Sequence, residues 1–359
     1  MQQGNETILS INLNKLEKNF YYLKNKIKEK TKIIAVVKAF AYGHGDVVIS
    51  KKLEELNIYA LWVTDFEEGI LLRKSGVKTK IIVANPGIKS YDQIIKHKLD
   101  VVIYNIKLLE LYAKNKNKVN VHIKINTGMN RYGFNEEELL DASIILEKNK
   151  HLNIISICSH LACSDNINKK HFTKKQLKCF TQASKKFENT INKTVYKHIL
   201  NTHGVINFPD YQMDMVRLGI GLYGSAKDKS IMPISSLKSV VTQNRDIKTG
   251  ESIGYGEGFV AEKNMNVSIV PVGYADGLNR RLGNGIGKVM INNTICSIIG
   301  KISMGSFAVD TSKIIVQEGD SVEIFGDNIS VANIANRIGT VPYEIYSTLN
   351  RRLKRIYIN

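Results

Sequence analysis

The sequence predicts an α/β protein in which a (β/α)₈ TIM-type barrel is followed by a smaller, mainly antiparallel β domain. Over roughly the first 225 residues, short apolar runs alternate about eight times with amphipathic helical patterns, as in a (β/α)₈ barrel. After Gly224 the pattern changes to short alternating segments separated by turn residues. We therefore expect a barrel over residues 1–228 and a β domain over 229–359, with residues 1–12 available to pair with the second domain.

An open, doubly wound parallel sheet is the second choice for the first part of the chain. That fold commonly carries a Gly-x-Gly-x-x-Gly turn after its first strand, and no such turn follows the first buried strand of this sequence. The barrel is therefore preferred.

Length and composition are those of a globular protein. The chain has 359 residues, of which 43% are hydrophobic and 23% charged. Its formal net charge of +18 comes mostly from dispersed lysines, without an arginine cluster or an RNA-binding aromatic signature. We interpret the charge as a solvated basic surface and predict no nucleic-acid partner.

Cysteine spacing, the N-terminal sequence and the length of the apolar runs indicate the cellular compartment in which the protein is expected. The four cysteines show no CxxC spacing, the N-terminus lacks the features of a signal peptide, and no apolar run is long enough to span a bilayer. The sequence thus predicts a cytoplasmic protein with reduced thiols, no membrane association and no metal site.

The elements of the barrel can be assigned in chain order. A strand over 8–13 leads into a helix capped by Asn12, whose apolar face comprises Leu13, Leu16, Phe20, Leu23 and Ile27. Buried strands are predicted at 33–38, 59–64, 80–84, 100–104, 119–125, 154–160, 196–201 and 213–218, and helices at 47–56, 67–75, 106–114, 136–148 and 170–187. In the second domain, segments 289–291 and 294–298 flank Asn292-Asn293 like the strands of a hairpin.

The stretch 33–45 carries the first chemical signal. Its apolar run ends in Lys38 and then breaks at Gly43 and Gly45, as expected for a strand buried on both faces. A lysine at the end of such a strand would have a lowered pKa through desolvation, and its neutral amine could form a Schiff base with an aldehyde. On the lysine alone, a side chain that reaches from a strand end to water remains an open alternative.

Polar side chains also follow other predicted barrel strands. Arg131 lies beyond strand five, His160 ends strand six, Asn201-Thr202 ends strand seven and Arg217 ends strand eight. Since barrel enzymes place their chemistry at the carboxyl ends of the strands, often with a phosphate site after strands seven and eight, these positions together predict an active site.

The string AVVKAFAYGHG at 35–45 closely resembles the pyridoxal 5′-phosphate (PLP) lysine motif of alanine racemases, which are PLP enzymes of fold-type III. Further segments are similar to elements of that family, in order and across nearly the whole chain: 198–202, 215–224, 254–256, 271–280 and 340–344. The resemblance implies a PLP enzyme that interconverts L- and D-alanine, supplies D-alanine for peptidoglycan and forms a homodimer.

The same resemblance implies residue roles. Cofactor contacts fall on Lys38, Tyr42, Arg131, His160, Asn201, Thr202, Arg217, Gly219, Ile220 and Tyr343. Arg217 would face the pyridine nitrogen, while Arg131 and Met304 would bind substrate. Residues that would orient these groups or line the entry are Lys124, which matches a lysine often carbamylated, Asp165, His198, Tyr274 and Arg280.

Two catalytic bases are implied, one on each face of the substrate. Lys38 would serve the D side and Tyr255 the L side. Cationic neighbours favour a tyrosine phenolate, and a relay from Tyr255 through His160 and Arg217 to His198 would provide them. In the family, Tyr255 and Met304 reach into the barrel of the other subunit, so a homodimer with two shared active sites is expected.

Four positions depart from the family pattern, and other functions stay open. Phe40 replaces the usual asparagine, His203 a small residue, and Ser303 and Gly305 stand in a Cys-Met-Asp element. The alternatives are a racemase of serine, of a larger amino acid or of broad specificity, and a basic amino acid decarboxylase, which typically pairs an acidic residue with the pyridine nitrogen. From other classes come a basic RNA-binding protein, which ranks last, and a non-catalytic PLP carrier or regulator. Such carriers are single barrels, so the second domain argues against that alternative.

Overall fold

The computed structural model describes residues 6–359 and confirms both the barrel and the antiparallel β domain. The first part of the chain contains β1 (Ile8–Asn12), α1 (Leu13–Lys24), β2 (Lys32–Val36), α2 (Lys38–Tyr42), α3 (Asp46–Glu55), β3 (Ala60–Val63), α4 (Phe66–Lys74), β4 (Lys80–Val83), α5 (Tyr91–Lys96), β5 (Asp100–Ile103), α6 (Ile106–Lys114), β6 (Val119–Lys124), α7 (Glu136–Lys148), β7 (Leu152–Cys158), α8 (Lys170–Ile191), β8 (Tyr196–His198), α9 (Thr202–Asn207) and β9 (Met215–Leu218).

The second part is mostly strands. They are β10 (Ser235–Val240), β11 (Gln243–Ile247), β12 (Ser252–Ile253), β13 (Phe259–Val260), β14 (Met265–Val270), β15 (Lys288–Ile291), β16 (Thr294–Ile299), β17 (Phe307–Asp310), β18 (Ser321–Phe325) and β19 (Lys354–Ile358), with two helices, α10 (Val331–Arg337) and α11 (Pro342–Ser347). No helix within residues 6–359 is long and apolar enough to cross a bilayer.

Strands β2 to β9 form the parallel barrel, in the order β8-β7-β6-β5-β4-β3-β2-β9. Strands β3 and β5 are buried along their whole length, which explains their continuously apolar or nearly apolar sequences. The backbone N–H of Arg217 on β9 donates to the carbonyl of Leu200, just beyond β8, at 2.9 Å. This bond links the two ends of the sheet and brings the strand-end residues to one face.

Several boundaries differ from the predicted ones because polar side chains cap helices. The Asn12 cap is confirmed, since its side chain accepts the N–H of Lys15 at 2.7 Å, although α1 ends at Lys24 and does not reach Ile27. Strand β8 ends at His198, three residues before the predicted end. The reason is that the Asn201 side chain accepts the N–H of Gly204 and begins α9.

The segment after Lys38 has a conformation that its sequence pattern did not predict. Ala39, Phe40, Ala41 and Tyr42 have φ between 50° and 56°, so α2 contains a left-handed turn. Each non-glycine residue in this conformation costs roughly 1–2 kcal/mol. Contacts from elsewhere in the molecule must therefore hold the turn.

The second sheet has nine strands in the order β11-β14-β17-β16-β15-β18-β10-β1-β19. Strand β1 pairs antiparallel with β10 and parallel with β19, so the N-terminal strand belongs to this sheet and not to the barrel. The predicted hairpin is present as β15 and β16, and Asn292 and Asn293 both have positive φ, as the tight turn requires.

Candidate active site

A cavity of about 280 Å³ opens at the carboxyl ends of the barrel strands. The sequence-predicted residues that line it are Lys38, Tyr42, Lys124, Arg131, His160, Asn201, Thr202, Arg217, Gly219, Ile220 and Tyr343. These residues come from five strand ends and from the start of α11, which the barrel closure and the second domain bring to one place.

Arg217 is the most constrained side chain of the cavity. Its five hydrogen bonds all use Nη1 and Nη2, and they include the Nδ1 atoms of His198 at 2.5 Å and His160 at 3.2 Å and the carbonyl of Ser159 at 2.6 Å. The Nε–H has no hydrogen-bond partner in the part of the chain that the structure describes, although Arg217 lines the cavity. One fixed donor is thus left for a ligand.

The two histidines beside Arg217 are neutral. Burial and the guanidinium of Arg217 hold the pKa of both His160 and His198 well below the usual histidine value. Of the three residues of the predicted relay, Arg217 therefore carries the cationic charge. A buried imidazole next to an arginine stays unprotonated, since desolvation and repulsion act in the same direction.

Lys38 begins the left-handed turn and points into the cavity. Burial lowers its pKa, the nearby charge of Arg131 lowers it further, and the carboxylate of Glu68 acts in the opposite direction. Glu68 also accepts the backbone N–H of Ala39 at 2.6 Å and of Thr64 at 2.7 Å. One carboxylate therefore supports both the conformation of the turn and the charge of the lysine.

Part of the cavity wall presents hydroxyl and backbone groups. The Thr202 hydroxyl accepts the N–H of Gly219 at 2.9 Å, and a Cβ on Gly219 would lie 2.8 Å from Oη of Tyr42. Burial raises the pKa of Tyr42 and of Tyr343, so both keep their protons. Neither hydroxyl has a hydrogen-bond partner among residues 6–359, and such free donors suit an anionic group.

Lys124 lies at the end of β6, in the wall of the cavity. Burial lowers its pKa to about 8, helped by repulsion from Arg217 and Arg131. At neutral pH a share of this side chain is an uncharged amine, which is the nucleophilic form of a lysine.

Six predicted residues do not line the cavity. One of them, His198, is fully buried beside Arg217. Tyr255 and Met304 are 69% and 61% exposed. Tyr274, Arg280 and Asp165 are also exposed. Three loops of the second domain, 254–256, 273–275 and 301–305, lie against one another and carry Tyr255, Tyr274 and Met304; we call them the loop cluster. The carbonyls of Ser303 and Met304 accept the N–H groups of Tyr274 and Ala275, and Lys301 contacts the Tyr255 loop.

Some cavity residues escaped the sequence reasoning. Trp62 lies 5.4 Å below the Arg217 guanidinium, measured to its ring centre, and Glu68 supports the lysine turn. Asn85 and Tyr132 also line the cavity. A usable signal existed for Trp62, because it is the single tryptophan of the chain and lies within the predicted barrel strand 59–64. Glu68 gave none, since it reads as an ordinary acidic residue in the first turn of a helix.

Comparisons with known proteins agree over the whole chain. Residues 11–227 match the family model described as "Alanine racemase, N-terminal domain", and residues 234–357 match "Alanine racemase, C-terminal domain". An alanine racemase of Helicobacter pylori is 34% identical, over 98% of this chain and 99% of its own length.

Solved structures of alanine racemases are also similar to this chain over nearly its whole length. An alanine racemase of Clostridium difficile has a TM-score of 0.92 at 30% identity and covers 99% of this chain and 97% of its own. An alanine racemase of Bartonella henselae, with covalently bound pyridoxal phosphate, has a TM-score of 0.90 at 28% identity and covers 99% of this chain and 100% of its own. The chain therefore belongs to the alanine racemase family.

Proposed function

We propose that this chain is a PLP-dependent alanine racemase, which interconverts L- and D-alanine. The observation that carries the proposal is one cavity that contains a desolvated lysine together with an Nε–H of Arg217 and two tyrosine hydroxyls that have no hydrogen-bond partner within residues 6–359. PLP, when bound, supplies the electron sink that takes up the electron pair left after the Cα proton is removed.

The residues present fit this cofactor. Lys38 would bind its aldehyde, and Tyr42, Thr202, Tyr343 and the backbone at Gly219 and Ile220 would hold its phosphate. Arg217 would donate its Nε–H to the ring nitrogen; because an arginine does not readily give up a proton, that nitrogen would stay unprotonated. Arg131 and Asn201 would complete the cofactor site, and His160 would hold Arg217 in place.

The arginine proposed to face the ring nitrogen also distinguishes racemisation from decarboxylation. Basic amino acid decarboxylases of a related fold typically place an acidic residue opposite the ring nitrogen. Arg217 lines the cavity instead, and no carboxylate forms a salt bridge with it within residues 6–359. The arrangement therefore favours racemisation over decarboxylation.

Proton transfer would use two groups. The lowered pKa of Lys38 increases the neutral fraction that can accept the Cα proton on one face. Tyr255 would act on the opposite face. Since this tyrosine is exposed and lies outside the cavity of its own chain, we place it in the active site of a second subunit, together with Met304.

A homodimer with two shared active sites follows from this assignment. Tyr255, Tyr274 and Met304 are large side chains, each at least 45% exposed, on the loop cluster, a combination typical of an interaction surface. Tyr274, Arg280 and Asp165 would then line the substrate entry. By resemblance to the family, the product would supply peptidoglycan synthesis in the cytoplasm. The proposed domains, 1–228 and 229–359, meet between the two matched regions.

The racemisation of alanine in heavy water tests the proposal directly. The purified protein, supplied with PLP, is given L-alanine in D₂O, and α-deuteration and product chirality are followed together. Deuterated D-alanine is the expected product. The Tyr255→Phe variant should not exchange the α-proton of L-alanine, but it should exchange that of D-alanine with retention of the D configuration, because only Lys38, the base on the D side, remains.

The control is Lys38→Ala, in which both exchange and inversion should be lost. The proposal is wrong if the wild-type protein binds PLP yet neither exchanges the α-proton of alanine nor inverts it.

A further inference from the structure

A row of buried polar side chains continues from Arg217 through the interior of the barrel, away from the cavity. Nη1 of Arg217 lies 2.5 Å from Nδ1 of His198, whose Nε2 lies 3.0 Å from the hydroxyl of Ser156. The same hydroxyl is 2.7 Å from Nδ1 of His122, and Nε2 of His122 lies 3.7 Å from Oδ2 of Asp100. These five residues form what we call the interior chain.

The interior chain crosses the barrel from one end to the other. Arg217 lies in β9 at the cavity, Ser156 and His122 lie within β7 and β6, and Asp100 is the first residue of β5. His198, Ser156 and His122 are fully buried, and Asp100 is 7% exposed, at a groove on the amino-terminal face. Asn120 donates to Oδ1 of Asp100 at 2.9 Å and so holds the carboxylate.

The chemistry of the two ends determines the direction of every hydrogen bond. An arginine can only donate, so Nδ1 of His198 must accept and its Nε2 must carry the proton. That Nε2–H then donates to Ser156, whose hydroxyl proton is left for Nδ1 of His122. The Nε2–H of His122 consequently points toward a carboxylate, which can only accept. No other tautomer of either histidine satisfies these contacts.

The interior chain also offsets part of the cost of burying the charge of Arg217. Arg217 is 3% exposed and forms no salt bridge among the described residues. A buried cation without a partner is costly, whereas aligned hydrogen-bond dipoles that end in a carboxylate offset part of that cost. The contact at 3.7 Å is too long for a hydrogen bond, so Asp100 acts on His122 through its charge.

We infer that Asp100, His122 and Ser156 are positioning residues for Arg217, acting from the opposite end of the barrel by fixing the tautomer of His198. This role rests on the proposed function, because it concerns the arginine that would face the cofactor. None of the three residues lines the cavity, so each acts only through its neighbour in the interior chain.

The matched substitutions are Ser156→Ala, which breaks the interior chain, and Ser156→Thr, which restores a hydroxyl. Ser143→Ala is the control, because Ser143 is also fully buried but donates only to the carbonyl of Leu139 within α7. Asp100→Asn tests the far end; its amide could donate to Nε2 of His122, which would favour the reversed tautomer of that histidine and so oppose the tautomer that Arg217 requires of His198.

The first readout is the ring ¹⁵N NMR spectrum of holoenzyme in which only the histidines are labelled. The chain has eight histidines. His198 should show an unprotonated Nδ1 in the wild type and an altered or mixed tautomer in Ser156→Ala and Asp100→Asn. The second readout is kinetic: kcat for alanine should fall about 10-fold in Ser156→Ala with little change in KM, and Ser156→Thr should recover most of it.

The outcomes separate this inference from the proposed function. If His198 keeps its wild-type signals in both Asp100→Asn and Ser156→Ala, or if Ser156→Ala loses no more kcat than Ser143→Ala, the interior chain has no positioning role. If the His198 signals respond as expected but the wild-type protein does not racemise alanine, the tautomer coupling stands and the proposed function is wrong.

Discussion

Burial sets the protonation state of the side chains around the cavity. It lowers the pKa of Lys38, Lys124, His160 and His198, and it raises the pKa of Tyr42. All five shifts favour the neutral form, as expected when an ionisable group leaves water. Arg217 keeps its charge because its pKa starts so high that burial does not neutralise it.

Lys124 allows a test of this desolvation. In the folded protein it loses its proton at about pH 8, and in the unfolded chain near its ordinary value of 10.5. Below pH 8 the buried charge destabilises the fold, so Lys124→Met should raise the free energy of unfolding by about 1–3 kcal/mol at pH 7. Between pH 8 and 10.5, unfolding of the wild type takes up a proton, and its stability should rise toward that of the variant.

The measurement is urea unfolding of both proteins from pH 7 to 10.5 in buffer free of carbon dioxide. Lys148→Met, a change at an exposed position on α7, serves as the control. A stability difference that stays constant over this pH range would show that Lys124 is not desolvated. Carbon dioxide is excluded because it reacts with neutral amines, and Lys124 matches a lysine that is often carbamylated.

At the scale of elements, the left-handed turn after Lys38 depends on the end of the chain. Arg355 on β19 donates from Nε to the carbonyl of Gly43 at 2.9 Å, and the hydroxyl of Tyr357 donates to the carbonyl of His44 at 3.0 Å. A Cβ on Gly45 would overlap that same hydroxyl. The last strand thus helps to hold the turn after Lys38 in a conformation that the local sequence would not adopt alone.

Phe40 has a place in this support, which explains how the chain accommodates its departure from the usual asparagine. The guanidinium carbons of Arg351 and Arg355 lie 4.5 Å and 4.7 Å from the centre of its ring. Two cation–π contacts therefore join the turn to the C-terminal segment.

A double-mutant cycle tests that contact. Phe40→Leu keeps an apolar side chain without a ring, and Arg351→Met removes the cation but keeps the stem. We expect a coupling free energy of about 0.5–1 kcal/mol in urea unfolding, because the interaction is lost in either single variant. The Phe40→Leu and Lys148→Met pair provides the uncoupled control. Additive effects of Phe40→Leu and Arg351→Met would mean that the ring contributes only through its volume.

At the scale of the whole molecule, one chain holds the proposed cofactor cavity but exposes the proposed second base. Tyr255 and Met304 belong to the loop cluster, where Gly273 is essential because a Cβ there would overlap the carbonyl of Met304. The close packing of these loops therefore fixes the positions of the backbone at Tyr274 and Met304, although neither residue lines the cavity of its own chain.

Subunit exchange tests whether active sites are shared. Lys38→Ala and Tyr255→Phe proteins should each be inactive as racemases, and mixing them should restore activity. With random reassortment of a dimer, about a quarter of the sites would carry both wild-type residues. The measurement is the racemisation rate after exchange, with mixed dimers verified by mass spectrometry of differently tagged chains.

Tagged wild-type protein mixed with Lys38→Ala gives the reference for exchange efficiency. Verified mixed dimers that recover no activity would rule out the shared site. Activity of the Tyr255→Phe protein alone at the wild-type rate would remove Tyr255 from the mechanism.

The sequence by itself determined the architecture and most of the cavity. Buried parallel strands need continuously apolar segments, and amphipathic helices need a repeating apolar face. The eight barrel units could therefore be predicted from the sequence. Because barrel strands end at one face, residues such as Lys38, Arg131 and Arg217 could be placed together before any distance was known. The motif at 35–45 then indicated the family.

Only the tertiary structure decided the features that depend on residues far apart in the chain. The left-handed turn exists because β19 supports it, and the neutral state of His160 and His198 follows from their burial beside Arg217. The interior chain joins five residues on five different strands, or strand ends, of the barrel, and none of them forms a motif with its sequence neighbours. Periodicity records which face of an element is buried, whereas hydrogen-bond partners and desolvation are set by what packs against that face.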